Sequence, residues 1–352
     1  MHLSNYLENK LLDKVLRAQA FTPPATMYFA LLTSTAGPRA DSTAYVLDDT
    51  ISVVADDTFV HLYKCTTAGT TAAAQGSLYS GSANEVVTDG TAAFTEQSAF
   101  LDAGTAEVEP SGGDYARVSL TASLANFSGT QGAGTTTVSS GSSGQISNNA
   151  AITWPTPSGT WGSVWGVAVY DASSSGNLLL WGPMSVVQSI SATDAVSIGV
   201  AGAVITMSGC YANYLRNKLL DYLFRAQTYS APATTYLALF ISSPTATTPG
   251  SEVAGTGYAR VGITSGLAAW AGTQSAGSTS ASSGSSGTTS NNAAINFPTP
   301  TASWGTVTSV ELLDASTAGN RLLFGDLTVS KSVEAGNSVP FPIGALSIQF
   351  DN

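Results

Sequence analysis

Residues 5–13 read NYLENKLLD and residues 213–221 read NYLRNKLLD. Outward from this pair the chain repeats itself: PATMYFAL (24–31) returns as PATTYLAL (232–239), and YAR (115–117) as YAR (258–260). SSGSSG (139–144) recurs at 282–287, NNAAI (148–152) at 291–295, and GNLLLWG (176–182) returns as GNRLLFG (319–325). The offset is 208 residues at the first motif and 143 at the later ones, so the first copy carries about 65 residues that the second lacks. A period this long marks a duplicated domain, not a solenoid with units of roughly 20–50 residues. The expected domains are residues 1–208, with an insertion at 37–101, and residues 209–352.

Each copy opens with a short amphipathic helix. Leu7, Leu11 and Val15 fall on one face, Leu12 and Leu16 widen the stripe, and Ser4 is placed to cap it. Leu215, Leu219 and Leu223 repeat the face, and Pro23, Pro24 and Pro232 stop the helices. Beyond the prolines the chain reads as β: Met27–Leu32 and Thr235–Ile241, then Val164–Tyr170, Leu178–Trp181 and Val196–Met207 in the first copy. Thr306–Leu313, Leu322–Phe324 and Leu346–Phe350 are the counterparts in the second. The insertion carries strand signals at Ala44–Leu47, Ile51–Val54 and Phe59–Cys65, and a turn at Asp89 and Gly90 ahead of Phe94. The predicted fold is mainly β: two tandem β-sandwich, jelly-roll-like domains, each with an N-terminal helix, and a small β subdomain projecting from a loop of the first.

Of the 352 residues only 10% are charged, against roughly a quarter in an average globular domain. The 43% hydrophobic content argues for packed cores under a surface of Ser, Thr, Gly, Ala and Asn. A net charge of −11 opposes association with nucleic acid or an anionic membrane, so neither is expected as a partner. The start, MHLSNYLENK, has no apolar signal core, and no stretch approaches the roughly 18 apolar residues of a membrane span. Synthesis in the cytoplasm is the expectation. Cys65 and Cys210 do not recur between the copies, which argues against a disulfide. The Gly/Ser/Thr tracts at 129–149 and 272–292 have the composition of linkers, yet they share length, a GTQ start and an NNAAI end. They are expected to dock on neighbouring subunits.

Reactive chemistry is scarce. His2 and His61 are the only histidines, no G-x-S-x-G elbow is present, and nothing points to a nucleophile, a metal site or a cofactor. Asp48, Asp49, Asp56 and Asp57 cluster in the insertion, where adjacent acids read as turn-formers and not as a hydrolytic pair. Asp171 and Asp314, each in D-A-S followed by G-N, read as turn residues. Trp161 and Trp304 recur before Gly and read as core. The protein is expected not to be an enzyme.

Together NYLENKLLD, the PATxYxAL segment, YARV, the F/W-P-T-P stretch, the WG pairs and G-N-x-L-L-x-G resemble a family of tailed-bacteriophage virion structural proteins, often labelled tail fibre proteins. Within the insertion, YKCTTAGTT (63–71) and VTDGTAAFT (87–95) resemble a small β module of phage fibre and adhesin-like proteins, which implies host-surface glycan contact through Tyr63 and Phe94. The resemblance implies a virion protein. Tandem copies, which let one chain make two similar contacts on a pseudo-symmetric lattice, favour a capsid decoration or cement protein. Its partners would be the major capsid protein and copies of itself. The alternative is a tail fibre or baseplate component binding the host surface.

Overall fold

The computed structural model describes residues 1–350. Its helices are α1 (Asn5–Leu16), α2 (Ser98–Asp102) and α3 (Asn213–Phe224), and the remaining regular structure is mostly antiparallel strand. The class is therefore mainly β, with sandwich-like packing. The chain forms two compact units, and they do not divide at residue 208. One contains Met1–Tyr6, Thr26–Thr121 and Ala151–Ala203; the other contains Leu7–Ala25, Ala122–Ala150 and the residues from Val204 onward. Helix α1 and the first Gly/Ser tract fall in the second unit because both make their polar contacts there.

In the first unit a five-stranded sheet runs in the order His2–Leu3, Leu178–Ile190, Gly162–Tyr170, Thr26–Thr33, Val118–Thr121. The two central apolar runs pair through Val167↔Leu31 and Tyr170↔Tyr28, and Gly162–Tyr170 is buried from Val164 onward. Four more antiparallel strands form the insertion, ordered Thr50–Val54, Val60–Thr67, Ala92–Glu96, Val86–Asp89. Successive side chains along Val60–Thr67 point to opposite faces. Tyr63 and Cys65 enter the insertion's own core with Tyr45, Ile51, Tyr79 and Phe94. Val60 and Leu62 join Leu101 of α2 against Ala30, Leu32, Trp165, Ala168 and Trp181 of the five-stranded sheet. The insertion thus shares a core with its host and does not project from a loop as expected. Burying large apolar side chains in this way stabilises by about 1.5–3 kcal/mol each, so neither layer is indifferent to the other.

The second unit has a four-stranded sheet ordered Val261–Thr264, Thr234–Phe240, Gly305–Leu313, Arg321–Val333. Its register corresponds to that of the first sheet: Val310 opposes Leu239 and Leu313 opposes Tyr236. Irregularities fall at matching places, between Val164 and Gly166 and between Val307 and Ser309. Where the first copy has Trp165, Ala168 and Leu178 facing the insertion, the second has Thr308, Glu311 and Arg321. Arg321 Nε donates to the buried Glu311 carboxylate at 2.8 Å and Arg321 Nη2 to the Thr245 carbonyl at 2.8 Å. A face that has no insertion to cover it is polar and ion-paired.

The two long hairpin strands, Leu178–Ile190 and Arg321–Val333, run well past the short apolar segments read from the sequence. In contrast, Val196–Met207 is not one strand. It breaks into Ser197–Ile198 and Val204–Thr206 because Ala201 takes a φ of 61° and the Gly202 amide closes a turn onto the Gly199 carbonyl. No described helix is long and apolar enough to cross a membrane.

Candidate functional site

Helix α1 is buried on more than its apolar stripe. Leu7, Leu11, Leu12, Val15 and Leu16 are buried, and so are Asn9, Asp13 and, just past the helix end, Arg17. Spacing of four residues stacks these three polar groups along one side. Helix α3 repeats the line with Asn217, Asp221 and Arg225. Both helices stop the same way: Ala18 and Ala226 each take a φ of 55°, which turns the chain so that the Gln19 and Gln227 amides reach back to the Asp13 and Asp221 carbonyls.

Each polar line is received by the Gly/Ser tract of the other copy. Arg17 Nε donates to the Trp270 carbonyl at 3.0 Å, Nη1 to Asp13 and the Ser282 hydroxyl, and Nη2 to the carbonyls of Ser278 and Ser280. The Asp13 carboxylate accepts the Ser282 amide at 2.9 Å and the Ser282 hydroxyl at 2.6 Å. The Asn9 amide donates to the Gly284 carbonyl at 2.9 Å, and its oxygen accepts the Thr273 hydroxyl. The reciprocal lock joins α3 to the first tract. Arg225 Nε donates to the Phe127 carbonyl at 3.0 Å, Nη1 to Asp221 and Ser139, and Nη2 to the carbonyls of Thr135 and Thr137. Asp221 accepts the Ser139 amide and hydroxyl, and Asn217 exchanges hydrogen bonds with Thr130 and the Gly141 carbonyl.

A buried ion pair is worth little on its own, because desolvating both charges offsets their attraction. What makes these two favourable is saturation: all five guanidinium donors of each arginine are used, mostly on backbone carbonyls that a Gly/Ser segment leaves accessible. Glycine is required at the closest approach. A Cβ on Gly141 would sit 2.2 Å from the Thr130 carbonyl oxygen, and one on Gly284 2.3 Å from that of Thr273. The GTQ motif supplies the rest of the tract's order. Thr130 and Thr273 accept the Gly141 and Gly284 amides, while Gln131 and Gln274 accept those of Ser140 and Ser283. Within this chain, each tract thus docks on the helix of the other copy.

Tyr63 and Phe94 do not present their rings to a glycan. Both are fully buried in the insertion's core; the Tyr63 hydroxyl is hydrogen-bonded to Glu85, and Phe94 packs edge-on against Tyr45. His61 lies half-buried between Asp57, 2.9 Å from Nε2, and Glu96, 3.3 Å from Nδ1. Burial alone would lower its pKa, but the hydrogen bonds and charges of Glu96 and Asp57 raise it overall. The aspartate cluster does turn work: Asp49 accepts the Val46 amide, Asp57 accepts that of Phe59, and Asp48 pairs with Lys64. No cluster of three or more His, Cys, Asp or Glu among the described residues is placed to hold a metal ion.

Trp161 and Trp304 are core residues, as read. Their indoles donate to the carbonyls of Gly113 and Thr256 and meet Tyr115 and Tyr258 edge-on. The YAR motif staples each domain. Tyr115 and Tyr258 donate to Glu109 and Glu252, and Arg117 and Arg260 bind the same carboxylates. Each arginine also holds two carbonyls of the D-A-S turn, Ala172 and Ser175 in one copy, Ala315 and Ala318 in the other. Asp171 and Asp314 close those turns by accepting the Asn177 and Asn320 amides.

One groove of about 410 Å³ opens on the second unit, lined by Leu323, Phe324, Leu327, Phe341, Ile348 and the half-buried Cys210. Burial pushes the Cys210 thiol up to about 12, which leaves it protonated and unreactive at neutral pH. The helix locks were not singled out by sequence reasoning, although Asn, Asp and Arg persist at the same three places in two helices whose neighbours Lys14 and Tyr222 differ.

The family described as "Podophage GP4 fiber I protein gp80" matches residues 2–52, 91–206 and 211–349. The unmatched residues 53–90 lie inside the insertion. No curated protein matches the chain.

Proposed function

The chain belongs to this podophage fibre family, and on that premise we propose that it is a non-enzymatic structural protein of a podophage virion, serving as a fibre component built from two fused copies of the family's module. The family match is the observation that carries this reading, and it favours a fibre over the capsid decoration that the tandem copies suggested. The locks support a structural role, since the most elaborate buried polar groups of the chain hold its own segments together. Partners under this reading are other virion subunits, copies of itself and the host surface. A host-surface glycan would meet exposed insertion side chains such as Phe59, which is 60% accessible, in preference to the buried Tyr63 and Phe94.

Quantitative protein counting in purified virions tests the proposal. A fibre component should be present in small, tail-like copy number, and labelled antibody should mark the tail end. Hundreds of copies distributed over the head would overturn the fibre reading in favour of decoration.

A further inference from the structure

The two locks are chemically the same. Asn9, Asp13 and Arg17 find Thr273, Ser282, Gly284, Ser280 and the Trp270 carbonyl; Asn217, Asp221 and Arg225 find Thr130, Ser139, Gly141, Thr137 and the Phe127 carbonyl. In both, the Nε contact is 3.0 Å and the shortest Nη2 contact is 2.6 Å. Helix and socket are far apart in sequence in each case, 253 residues between Arg17 and Trp270 and 98 between Arg225 and Phe127. Nothing in either lock depends on the helix and the tract belonging to one chain.

We infer that each tract is a docking socket for the Asn-x3-Asp-x3-Arg helix of this module, and that a second copy of this chain supplies it between subunits, with α1 of one chain seated in the 272–292 socket of another. Such exchange replaces every contact with an identical one, so its equilibrium depends on protein concentration and not on new chemistry. The Asp and Arg of the triad make most of the bonds to the socket. The Asp reads the Ser amide and hydroxyl, the Asn reads a glycine carbonyl, and the Arg meets three acceptors of the tract and the carbonyl two residues before it. A helix lacking the Asp or the Arg would leave buried groups of the socket unpaired. The inference is independent of where in the virion the chain sits.

Paired cysteines in the full chain test it. Asn9 and Thr273 touch through their side chains, so the double variant Asn9→Cys/Thr273→Cys should form a disulfide within one chain under mild oxidation. Next, the single variants Asn9→Cys and Thr273→Cys are refolded together and oxidised. A covalent dimer containing one chain of each kind is expected, with a yield that rises with protein concentration and is absent when either variant is refolded alone. Crosslinking within the double variant without any mixed dimer at high concentration would overturn the inference. Failure of the double variant to crosslink would overturn the lock geometry itself, and the inference with it.

Discussion

Arg225 donates its Nε hydrogen to the carbonyl of Phe127 at 3.0 Å, and Arg17 does the same to Trp270 at the same distance. Each arginine closes the far end of a helix onto a tract from the other copy, and each is wholly buried. The two repeats are therefore tied together reciprocally, helix for tract.

Removing either arginine should be costly. Arg225→Ala leaves the Asp221 carboxylate and several carbonyls without their donor, and breaking a buried pair from one side costs about 3–5 kcal/mol. Arg225→Lys should recover little of this, because one ammonium carries three donors in place of a planar fork of five. Denaturant melts of the two variants check the order. A lysine variant as stable as the parent would show that geometry at this site does not matter.

Gly284→Ala should weaken the α1 lock. Its Cβ would meet the Thr273 carbonyl oxygen at 2.3 Å, so the tract has to open, at an expected cost of about 1–3 kcal/mol. Gly277→Ala, in the same tract but with nothing within 4 Å of a Cβ, controls for the loss of a glycine, although its φ of 78° carries a backbone penalty of its own. Thermal melting should rank Gly284→Ala below Gly277→Ala.

Deleting the insertion should not yield a well-behaved protein. Replacing residues 37–101 by a loop like 242–250 strips Val60, Leu62 and Leu101 from Leu32, Trp165 and Trp181, leaving an apolar face in water. Aggregation or binding of a hydrophobic dye is expected. Adding Trp165→Thr, Ala168→Glu and Leu178→Arg, the residues that the second copy places there, should restore solubility. A soluble, cooperatively melting deletion without these changes would contradict the shared core.

Much of this was legible in the sequence and some was hidden for physical reasons. The stripe from Leu7 to Val15 and the apolar runs at Met27–Leu32 and Val164–Tyr170 form the helix and central strands their periodicity implies. The burial of Tyr63 and Phe94 was not legible because a motif does not say which face of a strand is covered. Tyr63 alternates with Leu62, and each of the two faces has its own core to enter. The Gly/Ser tracts look like spacers because their order comes from a partner helix remote in sequence. The three polar residues that recognise them, Asn9, Asp13 and Arg17, sit among leucines and read as the solvated side of an amphipathic helix.

The stability contributed by Glu107 should fall as pH rises toward neutral, opposite in sense to that of the lowered carboxylates of Asp57, Glu85, Asp89 and Glu252. Burial, against hydrogen bonds from the Glu107 and Ala106 amides and with help from Glu109, pushes the Glu107 carboxyl from 4.5 up to about 7, while Oε1 itself has no hydrogen-bond partner. A folded pKa above the unfolded one means that the contribution is full below about pH 4.5 and is lost on passing about pH 7. His61, also raised, contributes in the same sense, and its share is lost as pH rises through its folded pKa. Denaturant melts between pH 4 and pH 8 should show a smaller decline for Glu107→Gln than for the parent. Identical profiles would remove Glu107 as the cause.

Amide hydrogen exchange on the purified, isolated chain tests the reciprocal locks most directly. Ser139 and Ser282 donate their amides to Asp221 and Asp13, and Gly141 and Gly284 donate theirs to Thr130 and Thr273. These four amides should be strongly protected in the free protein, and Arg17→Ala should release those of Ser282 and Gly284 while leaving Ser139 and Gly141 slow. Fast exchange of all four in the isolated chain, with protection appearing only in assembled virions, would mean that the tracts are ordered by other subunits and that the helices do not hold them.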